Sequence, residues 1–221
     1  MHNLKSVLFR QYKVLVILSA SMFLSIFLLM VRMKITHTFF FIFLIWNLFL
    51  AVIPYAITTY LKSKKKTNTS TLAIWFGIWL LFLPNAPYII TDLIHLKISK
   101  NPYFWLDVLL ITSFAYNGLI LFFLSLADIK EVLQMHIRKS KVTYVIYALF
   151  PITAFGIYLG RFLRYNSWDI IQHPFVLFKD ILNMIILPSQ HLEVWLFTAT
   201  FGSFLAISFS MFQAFQKSRK D

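Results

Sequence analysis

The chain has 221 residues, of which 59% are hydrophobic and 19% are aromatic, and its mean hydropathy is +0.73. This composition is too apolar for a soluble core covered by polar surface, so it predicts an integral membrane protein. The formal charge of +13 does not indicate a nucleic-acid partner, because Lys and Arg lie between apolar segments without zinc-ligand, RNP or basic-helix patterns. The absence of cysteine excludes disulfides, thiolate metal sites and thiol catalysis.

Six uncharged apolar segments divide the chain, each close to the roughly 20 residues that cross a bilayer as a helix. We therefore predict an all-α polytopic membrane protein, a single integral membrane domain over residues 1–221 with six transmembrane helices. The first segment is too long for a signal-peptide core and lacks an Ala-x-Ala exit, so we interpret it as a retained anchor. The predicted helices cover about residues 14–31, 38–61, 72–90, 104–127, 142–161 and 192–215.

The distribution of basic residues predicts an orientation. Of the 21 Lys and Arg residues, 14 lie in the alternate segments that include both termini, and seven lie on the opposite side. This bias places both termini in the cytoplasm. The basic run at residues 62–66 could bind an acidic partner or anionic lipid, but we interpret it as a determinant of topology.

The third predicted helix is interrupted by Pro84 and Pro87, and a carboxylate and an imidazole follow. A proline in a helix interior costs about 3 kcal/mol, and irregular backbone at membrane depth is tolerated only against protein or a wet cavity. Asp92 and His95 are three residues apart, so a helix that resumes after Pro87 would place them on one face. This pair suits metal ligation or a carboxylate-oriented imidazole. Alternatively, Thr91 or Asp92 caps a short interfacial helix and His95 lies at headgroup level.

Within the predicted spans, Asn47 and Asn117 are the conspicuous polar residues, and we interpret them as hydrogen-bonding partners between helices. The pair Asn117-Gly118 would also let another backbone approach closely. Most of the tryptophans suit interfacial anchors, namely Trp75, Trp79, Trp105, Trp168 and Trp195.

The end of the fifth predicted helix carries Arg161 and Arg164, also three residues apart. Two planar guanidinium groups at this spacing could grip a phosphate or a carboxylate together, and a lipid headgroup would satisfy both. The alternatives are snorkelling side chains or ion pairs with Asp92, Asp107 or Asp169.

Beyond these arginines, Asn166 has N-cap chemistry and Asp169 would occupy the third position of a short helix that ends before Pro174. Asp169 is therefore interpreted mainly as a structural carboxylate. His173 follows it by four residues and forms a second acid and imidazole pair, and His191 with Glu193 forms a third.

These pairs allow a metal site to be considered. Carboxylate and imidazole ligands without thiolates fit zinc, manganese or iron, and a metal-activated water could hydrolyse a phosphoester or an amide. The candidate ligands are Asp92, His95 and His173. A divalent metal is thus a candidate cofactor, although no spacing matches a specific motif such as H-E-x-x-H.

Residues 175–187 form a short apolar segment before the last helix, in which Lys179, Asp180 and Asn183 make a narrow polar stripe. We predict a short interfacial or re-entrant helix. The alternative is a seventh span, which would place Lys179 and Asp180 near mid-membrane at about 2.5–3.5 kcal/mol each.

Three motifs together resemble an uncharacterised bacterial multi-pass family, called domain of unknown function 1361. The motifs are Pro-Asn-Ala-Pro at 84–87 followed by Thr91, Asp92 and His95, the Ser-Phe-Ala-Tyr-Asn-Gly string at 113–118, and the Gly-Arg-Phe-Leu-Arg-Tyr-Asn-Ser-Trp-Asp string at 160–169. The resemblance extends from about Leu72 to the last helix. It implies a multi-pass protein of the bacterial cytoplasmic (inner) membrane and implies no activity, substrate or catalytic residue.

Our leading hypothesis is an outward-facing polar pocket where the broken third helix meets the end of the fifth. Its ligand would be an anionic headgroup or a lipid-linked phosphate, so membrane lipids are the expected partners. Whether the pocket is catalytic stays open at this stage. The alternatives are a non-catalytic membrane assembly or sensory partner, a small transporter, and a metal-dependent membrane hydrolase. The candidate ligand-binding residues are Asp92, His95, Arg161, Arg164, Asn166 and Asp169.

Overall fold

The computed structural model describes residues 4–64, 68–98, 102–165, 169–172 and 174–218, apart from the side chains at positions 10, 98, 169 and 171. Over these ranges the regular structure is helical, without a β-strand. The α-helices are α1 (Leu4–Arg10), α2 (Tyr12–Thr36), α3 (Phe43–Ser63), α4 (Thr69–Phe82), α5 (Asn85–Tyr88), α6 (Phe104–Gln134), α7 (Lys139–Arg161), α8 (Asp169–Gln172), α9 (Pro174–Ile186) and α10 (Leu192–Ser218). Two 3₁₀ helices cover Ile89–Ile98 and Pro188–Gln190.

Six helical segments of the described chain are long and apolar enough to cross a membrane, which confirms the predicted number. At 13 residues, α9 is shorter than the roughly 20 residues that a spanning helix needs. The six segments are Tyr12–Thr36, Phe43–Ser63, Thr69–Lys97, Phe104–Gln134, Lys139–Arg161 and Leu192–Ser218.

The chain forms two compact units, which we call unit 1 (Met1–His136) and unit 2 (Ile137–Asp221). In unit 1, α6 packs against α2, α3, α5 and the 3₁₀ helix Ile89–Ile98, so α6 is the central helix. In unit 2, α7 packs against α10, and α9 packs against α8. The single domain expected from the sequence stays a prediction.

The predicted break in the third span lies between α4 and the long 3₁₀ helix. Helix α4 ends at Phe82, whose carbonyl accepts a hydrogen bond from Asn85 Nδ2 at 3.0 Å. The Leu83 carbonyl, which Pro87 would leave unpaired in a regular helix, accepts from the Ala86 N–H at 3.3 Å. The tightened turn thus satisfies the Leu83 carbonyl, and the asparagine side chain satisfies the Phe82 carbonyl, whose partner in a regular helix, the Ala86 N–H, now bonds to Leu83.

Close backbone contact fixes this break against α6. A Cβ atom added to Gly118 would lie 2.2 Å from the Ala86 carbonyl oxygen, closer than any real Cβ contact. Only glycine therefore allows α5 to pack at this depth against α6. This finding confirms the close approach predicted from the Asn117-Gly118 pair.

Unit 2 is held by small residues and aromatic rings. A Cβ on Gly202 of α10 would lie 3.3 Å from the Cα of Pro151 in α7. The rings of Phe150 and Phe209 pack with centroids 5.7 Å apart. A second cluster, formed by Tyr158, Met184 and Val194, joins α9 to α7 and α10.

Candidate functional site

Asp92 and His95 lie one above the other because the helix that carries them is a 3₁₀ helix, with three residues per turn. His95 Nε2 is 3.9 Å from Asp92 Oδ1, within ion-pair distance but too long for a hydrogen bond. The Asp92 side chain is 1% exposed and the imidazole 28% exposed. The pair thus consists of a buried carboxylate behind a partly exposed imidazole.

Asn47 fixes the carboxylate from the neighbouring helix. Its Nδ2 donates a hydrogen bond of 2.9 Å to Asp92 Oδ2, so α3 and the 3₁₀ helix are joined at this point. The sequence predicted a hydrogen bond between helices for Asn47 but did not identify Asp92 as its partner. The sequence signal that could have identified this partner is position. Asn47 lies near the start of the second span and Asp92 near the end of the third, so both lie near the same side of the membrane.

Aromatic side chains confine the His95 ring. The ring centroids of Phe40 and Phe43 lie 6.0 and 5.1 Å from that of His95, with edge-to-face geometry. Phe40 belongs to the connection between α2 and α3, and Phe43 begins α3. The imidazole is therefore surrounded by apolar rings on one side and by the Asp92 carboxylate on another.

A buried ion pair anchors the same connection. Arg32 Nε lies 3.0 Å from Asp107 Oδ1, and both side chains are almost fully buried. The Arg32 guanidinium also donates to the Thr38 carbonyl at 3.3 Å and to the Thr38 hydroxyl, and it lies 4.6 Å from the Phe41 ring centroid. Asp107, one of the partners expected for the α7 arginines, is thus bound by Arg32, which the sequence counted only as a topology charge.

The other end of α6 carries a second ionic group. Lys62 Nζ lies 2.6 Å from Asp128 Oδ1 and 2.7 Å from Glu131 Oε2. Gln11 Nε2 lies 3.5 Å from the same Asp128 oxygen, and Gln11 Oε1 accepts a hydrogen bond from Tyr55 at 2.9 Å. Lys62 was interpreted as a topology charge, yet it also joins α3 to α6.

In unit 2, Arg161 and Arg164 lie at the turn that ends α7. Arg161 is the last helical residue and is partly exposed, whereas Arg164 is exposed and adopts a left-handed conformation with φ of 62°. The turn is closed by a hydrogen bond from the Tyr165 N–H to the Leu159 carbonyl at 3.1 Å. The Tyr165 hydroxyl donates to Asp180 Oδ2 of α9 at 2.7 Å, which ties the turn to that helix.

Three of the predicted residues are not fully described. Asn166 and His173 lie outside the described residues, and Asp169 begins α8 without a described side chain. No group of three or more His, Asp or Glu residues in the described part of the chain could hold a metal ion. The predicted pocket combines residues of both units and stays a prediction, as does the metal site that includes His173.

The helices and their hydrophobic lengths define a multi-pass membrane protein with six apolar helices. The chain belongs to the family described as "Protein of unknown function (DUF1361)", whose family model matches residues 46–208. This match confirms the resemblance carried by the proline, asparagine and arginine motifs. Neither the curated proteins nor the solved structures contain a match to the chain.

Proposed function

We propose that the protein binds an anionic lipid headgroup or a lipid-linked phosphate through Arg161 and Arg164. We place it in the bacterial cytoplasmic membrane, with both termini in the cytoplasm and the arginines on the outer side. The observation that carries the proposal is the closed turn after α7, which holds an exposed arginine in a left-handed conformation.

The cost of this conformation supports a role for the turn. A non-glycine residue in the left-handed region costs roughly 1–2 kcal/mol. Here the hydrogen bonds of the Tyr165 N–H and hydroxyl maintain the left-handed conformation, and they thereby fix the backbone position of Arg164. Because the backbone is held in place, only the side-chain torsions of Arg164 have to be ordered when its planar guanidinium binds an oxyanion.

The neighbouring carboxylate does not neutralise Arg164. Asp180 of α9 accepts the Tyr165 hydroxyl, and among the described residues no carboxylate forms an ion pair with Arg164. Arg161 lies in the last turn of α7, where it also complements the helix dipole. The arrangement therefore supports a binding site for an external anion.

Replacement of Arg164 by lysine tests this proposal, because it keeps the charge and removes the planar fork. We expect native mass spectrometry of the detergent-purified wild type to show a phospholipid or phosphorylated adduct, and we expect Arg164→Lys to lose most of it. The matched control is Arg138→Lys, at an exposed arginine before the other end of α7. Equal retention by both variants and the wild type would overturn the bidentate site.

The larger pocket, with Asp92, His95, Asn166 and Asp169 as further ligand contacts, is tested in the same assay. If these residues share one ligand with the arginines, Asp92→Asn should also lower adduct retention in protein that remains folded. Retention equal to wild type would assign Asp92 to a separate role.

The proposed orientation can be tested with single cysteines, because the chain contains none of its own. Ser140 and Ser189 are exposed, and they lie in the first turn of α7 and in the 3₁₀ helix that follows α9. We expect an impermeant maleimide to label Ser189→Cys, and not Ser140→Cys, in intact cells. Labelling of Ser140→Cys alone would reverse the orientation, and equal labelling would show that α9 crosses the membrane.

A second candidate function is acid–base catalysis, which the Asp92 and His95 geometry favours. A neutral His95 would take a proton from a water molecule as that water attacks a phosphoester, and would return it to the leaving oxygen. Asp92 would stabilise the imidazolium between the two steps, as the carboxylate does in catalytic triads. Asn47 would position that carboxylate.

Phosphate release from a polyprenyl monophosphate, which is a phosphoester, in detergent micelles tests this activity. We expect His95→Gln and Asp92→Asn to lower release at least about 100-fold, the usual contribution of a general base. The control His191→Gln should match wild type. The assay is run with and without added divalent cation, and no release by wild type in either condition would remove the enzymatic candidate for this substrate class.

A further inference from the structure

Helix α9 has one buried face and one broad apolar face that is largely exposed in the described structure. Leu177 and Met184 point into unit 2, where Met184 packs with Tyr158 and Val194. Five large apolar side chains on the other side of α9 are more than half exposed, namely Phe175, Phe178, Leu182, Ile185 and Ile186, whereas Ile181 is partly buried. In a membrane protein such a face contacts lipid chains.

A polar stripe separates the buried face of α9 from its apolar face. Lys179, Asp180 and Asn183 lie within an arc of about 100° on the helix. Lys179 and Asn183 are exposed, whereas Asp180 is partly buried and accepts the Tyr165 hydroxyl. The stripe therefore presents one cation and one amide beside a carboxylate that is already engaged.

The same hydrogen bond brings the stripe close to the α7 turn. Tyr165 directly follows Arg164, and Asp180 directly follows Lys179, so a single tyrosine side chain spans the two segments. Both basic residues are exposed and have long, flexible side chains that can converge on one headgroup. This connection lies entirely within unit 2.

We infer that Lys179 and Asn183 of α9 complete the anion site of Arg161 and Arg164, and that the ligand is a membrane lipid whose hydrocarbon chain lies along the apolar face of α9. This inference rests on the proposed headgroup site. It assigns two further binding residues and selects a lipid phosphate over a soluble anion.

The length and composition of α9 favour a lipid over a soluble anion as the ligand. Thirteen helical residues extend about 20 Å, enough to lie along the interface or to enter about one leaflet of the roughly 30 Å hydrocarbon core. Helices with a basic polar stripe beside a wide apolar face bind anionic lipids by charge and apolar burial together. A soluble anion would use only the stripe and would leave the adjoining apolar face without a role in binding.

The test measures retention of phosphatidic acid by purified protein with native mass spectrometry, at several lipid concentrations. Removal of one lysine charge near a headgroup should lower the affinity about fivefold, so we expect this loss for Lys179→Gln and a smaller loss for Asn183→Ala. The matched control Lys141→Gln removes the same charge at an exposed position in the first turn of α7 and should retain wild-type affinity.

The variants separate this inference from the function on which it rests. Loss of retention in Arg164→Lys with wild-type retention in folded Lys179→Gln would overturn the role of α9 and keep the arginine site. Wild-type retention in both would overturn both. A competition arm adds glycerol phosphate in excess, and complete displacement of the lipid by this soluble headgroup would overturn the choice of a lipid.

Discussion

The two units join their helices in different ways. In unit 1, the central helix α6 bonds to each neighbouring span through a buried polar side chain: Asp107 to Arg32, Asn117 to Ser25, Ser125 to Trp79, and Asp128 to Lys62. In unit 2, α7 and α10 meet through Gly202, Pro151 and aromatic rings. Buried polar atoms without a hydrogen-bond partner in the described structure occur in both units, for example Asn117 Oδ1 and Asp128 Oδ2 in unit 1 and Thr153 Oγ1 and Thr198 Oγ1 in unit 2, so they do not distinguish the units.

This difference affects which basic residues stay exposed for binding a ligand. Lipid gives little hydrophobic drive for helix association, so membrane helices associate by hydrogen bonding or by close packing of small residues. Unit 1 uses the first means, in addition to the close packing at Gly118, and thereby engages Arg32 and Lys62 in internal pairs. Unit 2 uses the second and leaves Arg164 and Lys179 exposed, which makes them available to an external anion.

The largest effect that we predict in this comparison is for the Arg32 and Asp107 pair. Asp107→Asn removes the negative charge and leaves the Arg32 guanidinium buried beside a neutral group. Breaking one partner of a buried ion pair typically costs about 3–5 kcal/mol. We expect a loss of this size in the free energy of unfolding, measured by steric trapping in bicelles.

The matched variant replaces both partners with apolar residues of similar size. Because the double variant Arg32→Met, Asp107→Leu leaves no unpaired charge, we expect it to recover most of the stability lost in Asp107→Asn. If Asp107→Asn unfolds no more readily than wild type, the ion pair does not stabilise unit 1 and the contrast between the units is wrong.

The next effect concerns the backbone contact at Gly118. Gly118→Ala places a methyl group 2.2 Å from the Ala86 carbonyl oxygen, so α5 or α6 must move. Overpacking of this kind usually costs about 1–3 kcal/mol. Gly77→Ala is the control, since its Cβ would meet no atom within 4 Å. Equal stability of the two alanine variants in the same unfolding assay would contradict the close packing of α5 on α6.

Composition and length were sufficient to predict the six spanning helices, because every span must be apolar and nearly uncharged over about 20 residues. The interruption at Pro84 and Pro87 was equally readable, since proline cannot continue the helical hydrogen bonds. The shared face of Asp92 and His95 followed from their spacing. The structure adds that a 3₁₀ helix, rather than an α-helix, provides it.

The partners of buried polar residues could not be predicted. Arg32 and Asp107 are 75 residues apart, and nothing in their local sequence indicates that α2 and α6 meet at this level. Trp79 was interpreted as an interfacial anchor but is fully buried, where its indole N–H donates to Ser125 at 2.8 Å. Sequence periodicity indicates which face of a helix is polar, whereas the helix that it contacts depends on the packing of the whole bundle.

The smallest predicted effect compares one serine in each unit. Ser125→Ala removes the acceptor of the buried Trp79 indole, and hydrogen bonds between membrane helices contribute about 0.6–1.7 kcal/mol. Ser210 accepts or donates a bond of 3.0 Å with Tyr147 at an exposed position of unit 2, where a substitution usually changes stability by less than about 0.5 kcal/mol. We therefore expect Ser125→Ala to lower the free energy of unfolding measurably and Ser210→Ala to leave it close to wild type. A larger loss in Ser210→Ala would mean that unit 2 also depends on hydrogen bonds between its helices. The contrast between polar bonds in unit 1 and close packing in unit 2 would then be wrong.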